Sequence, residues 1–168
     1  RAYGGHAYAG FPQPDAYPYP ITILTNQGFV VGYCEKRQNP VWSCYRVFAL
    51  ADPESDKRPS GFRIDDRTAA RTSHDDYTHS GYDRGHMAPN FALGSRYGTA
   101  GSRSTFVMSN VCPQYHDFND GPWGNLEEWI AGRKPPGATA ETFVRGWADA
   151  FGEVWVVVGP LFEDERDP

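Results

Sequence analysis

Apolar positions along the chain fall in short runs separated by long polar stretches. Residues 28–34 and 41–50 are rich in Val, Phe and Tyr and are separated by Lys36-Arg37-Gln38-Asn39-Pro40, which predicts an antiparallel hairpin with a longer loop. Residues 104–110 and 153–159 read as two further strands. The second, Glu-Val-Trp-Val-Val-Val-Gly, is apolar on both faces, the pattern of a central buried strand. Between them the pattern predicts one helix from 120 to about 130 and another over roughly 141–151, after the breaker Lys134-Pro135-Pro136-Gly137. Residues 52–82 are polar and form a long surface loop, and loops of that length inside a compact domain tend to be functional. Residues 1–20, with Tyr17-Pro18-Tyr19-Pro20, read as an extended arm in front of one domain over 21–168. The charged tail 163–168 directly after a central strand predicts a domain that lacks its C-terminal portion, supplied by further residues or by a separate C-terminal chain.

Composition sharpens this picture. Eighteen Gly and fourteen Pro favour short elements joined by turns, while five Trp, ten Tyr and ten Phe supply a core. The fold class that follows is α+β, with a central, mainly antiparallel sheet flanked by helices. No stretch approaches the roughly 18 consecutive apolar residues of a membrane span. A net charge of −5 argues against a protein that coats nucleic acid by counterion release alone, yet leaves room for an enzyme that grips one phosphate locally. Of the three cysteines, Cys34 and Cys44 flank the hairpin turn, so a cross-hairpin disulfide is open to them and would suit an oxidising compartment.

Two stretches carry candidate chemistry. In Asp83-Arg84-Gly85-His86 an imidazole suited to general-base work lies two residues from a guanidinium that can neutralise a phosphoryl oxygen. In Asn119-Asp120-Gly121-Pro122-Trp123-Gly124-Asn125-Leu126-Glu127, helical spacing puts Trp123, Leu126 and Ile130 on one face. Glu127 points into that stripe and Glu128 away from it; a carboxylate so placed either finds a partner, such as metal-bound water, or lies at the edge of the stripe with its head in solvent. Asn119 fits either a helix N-cap or an amide-oxygen ligand for a hard divalent cation. Asn110, in Ser109-Asn110-Val111-Cys112-Pro113-Gln114, ends the predicted strand.

In their order and near spacing these three elements resemble the DNA/RNA non-specific endonuclease family, the ββα-metal (His-Me finger) nucleases of the endonuclease G type. The likeness extends to Pro40-Val41-Trp42-Ser43-Cys44-Tyr45-Arg46 and Val157-Val158-Gly159-Pro160-Leu161-Phe162 and covers roughly residues 20–162. It implies hydrolysis of DNA and RNA phosphodiesters with little sequence preference. His86 would be the general base, Asn119 the direct ligand of a single Mg²⁺ (or Mn²⁺), and Glu127 with Asn110 would hold the ion and its waters. Arg84 would stabilise the developing charge, and Asp83 would fix the loop. A further family arginine falls on Arg58, with Arg63 as its rival. The resemblance further implies nucleic-acid substrates held by their backbone and an inhibitor protein as a partner. It points to a secreted or periplasmic location, or a mitochondrial one in a eukaryote. The rival functions are a non-catalytic nucleic-acid-binding module and a metal-dependent phosphodiesterase for small substrates.

Overall fold

The Val-, Phe- and Tyr-rich hairpin is the middle of a sheet. In the computed structural model, which describes residues 5–12, 17–54, 57–134, 137 and 142–162, strands β1 (Thr22–Thr25), β2 (Phe29–Cys34) and β3 (Asn39–Phe48) run antiparallel. Strands β4 (Asp83–His86) and β5 (Val111–Gln114) form a separate antiparallel ribbon. Strand β6 (Glu153–Val158) pairs with β3, so the sheet order is β1-β2-β3-β6. Helices α1 (Asn90–Thr105), α2 (His116–Phe118, a single turn), α3 (Gly124–Ala131) and α4 (Trp147–Phe151) complete an α+β architecture. No helix among the described residues is long and apolar enough to cross a membrane.

Successive residues of a strand face opposite sides of the sheet, and here both sides are covered. Phe29, Val31 and Tyr33 pack with Tyr45 and Val47 against Ala92, Leu93, Ile130 and Ala148 of the helices. Val30 and Cys44 face the other way, onto Trp42 and the arm residues Ala7 and Phe11. Phe11 stacks on Trp42 with ring centroids 5.2 Å apart. Burial on both faces makes every residue of β2 buried, and each large apolar side chain so enclosed contributes roughly 1.5–3 kcal/mol. Arg96 of α1 ties the helical layer to the sheet: its Nε donates to Phe48 O (3.0 Å) and its Nη2 to Ala131 O (3.1 Å), at the end of α3.

Several expectations need correction. The strand expected over 104–110 is instead the end of α1 followed by a tight turn at Met108–Asn110, and the strand begins at Val111. Phe106, Val107 and Met108 are buried, as an apolar run should be, but by tertiary packing rather than in a ladder. Helix α1 itself escaped prediction because Gly94, Gly98 and Gly101 dilute its pattern, and it bends at Gly98 (φ 68°). Among the described residues β6 lies at the sheet edge, not its centre: Val154, Val156 and Val158 meet the core, whereas Val157 is 60% exposed. Of the helix expected over 141–151 only Trp147–Phe151 is helical; residue 141 and the tail 163–168 lie outside the described residues. All three cysteines are free. The β2–β3 register explains this, since it sets Cys44 opposite Val30 and Cys34 opposite Asn39, and a disulfide needs its two Cβ atoms face to face.

Candidate active site

The β4–β5 ribbon and the helical segment after it make a ββα unit. In β4 the two-residue period puts Arg84 and His86 on one face and Asp83 and Gly85 on the other. Gly85 pairs with Cys112 and leaves room for the diagonal Gln114 side chain, which a Cβ there would meet at 2.2 Å. After β5 the chain turns through α2 and a π-helical stretch, Asn119–Trp123, into α3. Gly121 leaves helical geometry within that stretch, and such widened turns recur at functional sites. The Trp123 indole N–H donates to His86 O at 3.2 Å, docking the helix on the strand that carries the histidine.

Between these elements lies a cleft of about 460 Å³ lined by Arg58, Arg84, His86, Asn119, Glu127 and Arg133 among others. The structure therefore brings together Arg58, Arg84, His86, Asn119 and Glu127, five of the six residues that the resemblance assigns to catalysis or metal binding, Asn110 being the exception. The His86 ring lies 4.9 Å from both Phe62 and Phe106, only 8% exposed. Burial, and after it the Arg58 charge, pushes its pKa down to about 3, so the imidazole is neutral at pH 7 and free to accept a proton. Arg84 is braced from behind: Nε and Nη2 donate to His74 O (3.2 and 2.7 Å), and Nη2 also to Thr78 Oγ1 (3.1 Å). Arg58 lies over the Phe106 ring at 5.1 Å and lines the cleft, whereas Arg63 does not line it and joins Val107 and its neighbours through the main chain.

Asn119 makes no side-chain cap. Its Nδ2 donates to Asp83 Oδ2 at 3.0 Å, which leaves Oδ1 as the end of the amide open to a ligand. Glu127 also lines the cleft, and burial raises its pKa to about 7, with the Trp123 hydrogen bond and Arg58 opposing the rise. Glu128 points to the exposed rim, as the helical spacing predicts. Among the described residues no three His, Cys, Asp or Glu side chains converge as a metal cluster. The donor set nonetheless suits a hard, largely hydrated cation: one amide oxygen with its orientation held, and a carboxylate whose charge is costly until a cation arrives.

Asn110 lies elsewhere. It is fully buried behind the cleft, and its amide is committed to the main chain: Ala88 N–H donates to Oδ1 (3.0 Å), and Nδ2 donates to Ala88 O (3.0 Å) and Thr105 O (3.1 Å). It thus pins the two residues after His86 to the end of α1, while Met87 N–H donates to its carbonyl at 2.9 Å. Sequence reasoning missed His116, whose Nδ1 lies 2.9 Å from the same Asp83 oxygen that holds Asn119. The two hydrogen bonds, that from His116 first, keep the Asp83 carboxyl below its usual range. It also missed Phe62 and Phe106, which no local motif could pair with His86 across so many residues of chain.

Comparison with known proteins identifies the relatives of this chain. A family profile described as DNA/RNA non-specific endonuclease matches residues 9–133. The chain is 33% identical to a mitochondrial nuclease of Saccharomyces cerevisiae over 90% of its own length and 43% of the relative's. Against human mitochondrial endonuclease G the identity is 30%, over 83% of this chain and 43% of that one. Human mitochondrial nuclease EXOG is 32% identical over 88% of this chain and 37% of its own. Among solved structures, a crystal structure of an EndoG/EndoGI complex superposes with a TM-score of 0.68 at 25% identity, over 86% of this chain and 55% of that one. The chain spans less than half the length of these curated relatives. With the profile covering most of its length and the ββα unit in place, the chain belongs to the DNA/RNA non-specific endonuclease family.

Proposed function

We propose that this chain carries the active site of a metal-dependent endonuclease that hydrolyses DNA and RNA phosphodiesters with little sequence preference. The observation that carries the reading is one cleft shared by a neutral imidazole, two arginines and an amide oxygen. Neutral His86 takes a proton from the attacking water. A phosphate in the cleft brings negative charge near the ring and raises its proton affinity from the low resting value, which strengthens it as a base where substrate is bound. Arg84, braced on His74 O, and Arg58 lie where they neutralise charge building on the phosphoryl oxygens. Asn119 Oδ1 and Glu127 would hold a single Mg²⁺ or Mn²⁺, and Asp83 keeps the Asn119 amide turned toward it. When bound, that ion would polarise the phosphodiester and stabilise the leaving 3′ oxygen. Contacts confined to phosphate carry no base information, in keeping with low sequence preference.

Names of the relatives favour a mitochondrial setting if the source is eukaryotic, with export as the alternative, and the EndoG/EndoGI complex makes an inhibitor protein a natural partner. The test is plasmid and oligoribonucleotide cleavage by the chain and by His86→Ala, with Mg²⁺ and with EDTA. Cleavage should require the ion and fall about 10²- to 10⁴-fold in the variant, which should still fold and bind the ion. A variant cutting at the unaltered rate would remove His86 from the reaction. Turnover of a small diester without cleavage of plasmid would point instead to a small-substrate phosphodiesterase.

A further inference from the structure

The cleft is longer than one phosphate requires. Asn119 stands before α3 and Arg133 after it, and α3 itself, eight residues, is about 12 Å long at 1.5 Å per residue. One strand of a duplex advances about 3.4 Å per nucleotide along the axis, so a group held at Arg133 is not the phosphate that meets Asn119. Arg133 and Lys134 line this far end. They belong to none of the motifs that mark the active site.

Both side chains are loosely paired. Arg133 Nη1 lies 3.7 Å from Glu128 Oε2 and Lys134 Nζ 3.6 Å from Asp52 Oδ1, with both carboxylates about half exposed. Such long, screened pairs are worth about 0–1 kcal/mol and exchange readily for another anion. The backbone beneath them is held by hydrogen bonds: Arg133 and Val144 exchange two, each 2.9 Å. Gly132 (φ 80°) turns the chain out of α3 against Phe143, where a Cβ would lie 2.2 Å from the ring. Cations after a helix C-terminus also complement its dipole, but here the turn at Gly132 delivers them to the cleft wall.

Resting on the reading of the cleft as a phosphodiester site, we infer that Arg133 and Lys134 form a second backbone subsite. It would grip a phosphate of the same nucleic-acid strand at least one nucleotide away from the scissile one. The test is equilibrium binding in EDTA of a fluorescent oligothymidylate and of a labelled dinucleotide, by the chain and by R133Q/K134Q, between about 50 and 200 mM salt. Loss of the one neutralised phosphate on a single strand should make the slope of log K against log salt shallower by about 0.7. Affinity for the oligomer should fall about tenfold at the lower salt while that for the dinucleotide changes less than twofold. R133K/K134R should restore the slope. An unaltered slope and affinity, an equal loss on both ligands, or failure of the charge-conserving variant to restore binding would each overturn the subsite. Cleavage of the same oligomer with Mg²⁺ is scored separately. Binding that depends on the pair without cleavage defeats the nuclease reading and leaves the subsite standing; cleavage with binding that ignores the pair defeats the subsite alone.

Discussion

Glu127 offers a test that needs no substrate. Its carboxyl sits in the cleft with a pKa raised from 4.5 to about 7, chiefly by burial. In the unfolded chain it ionises near its ordinary value. Below pH 4.5 it is neutral in both states and imposes no penalty. As pH rises from 4.5 to about 7 the unfolded chain releases its proton first, so stability is lost across that window and levels off above it. A pKa change from 4.5 to 7 corresponds to about 3.4 kcal/mol for a sealed site. The cleft is open to solvent, and screening reduces the expected effect to about 2 kcal/mol. Glu127→Gln keeps the size and shape of the side chain but cannot ionise. In EDTA, urea denaturation at pH 8 should find the variant about 2 kcal/mol more stable than the parent, with the difference vanishing near pH 4.5. Taking the difference between the two proteins cancels the titration of His86, whose lowered pKa works in the opposite sense. Mg²⁺ at pH 8 should stabilise the parent more than the variant, because the cation favours the ionised carboxylate. A gain that is the same at both pH values, or a loss at pH 8, would refute burial as the source of the effect.

Asn110→Ala should cost roughly 3 kcal/mol of stability, because it strands the buried Ala88 N–H and the Ala88 and Thr105 carbonyls. Calorimetric titration should find its Mg²⁺ affinity little changed once folded, since the amide does not line the cleft. Asn119→Ala should weaken Mg²⁺ or Mn²⁺ binding in the same assay, with cleavage partly recovered as the ion concentration is raised; recovery at ordinary concentrations would exclude Asn119 as the ligand. Denatured without reductant, the chain should present three titratable thiols to a chromogenic reagent, and one thiol would reveal a disulfide.

Much of the site was legible because its parts are local. Arg84 and His86 share a face of one short strand, and Trp123, Leu126 and Glu127 share a helical stripe; period alone carries such information. The hairpin was legible for the same reason, whereas its register was not: Cys44 opposes Val30 and Cys34 opposes Asn39, so the two cysteines lie apart along the ladder, and Pro40 opposes Tyr33 across a bulge. Helix α1 was hidden because its glycines lower helix propensity and its support is remote, with the Asn90 amide joined to Ser102 and Thr105 across the bend.

The sequence by itself thus determined the α+β class, the central hairpin and most of the residue types that line the cleft. Tertiary structure decided their duties. It turned Asn119 from helix cap to open amide by placing Asp83 beside it, and took Asn110 out of the cleft into a main-chain clamp. It also lowered the His86 pKa by burying the ring between Phe62 and Phe106. The physical reason is common to all three. Propensity and period act over a few residues, but pKa and hydrogen-bond direction depend on groups that only folding brings within a few ångströms.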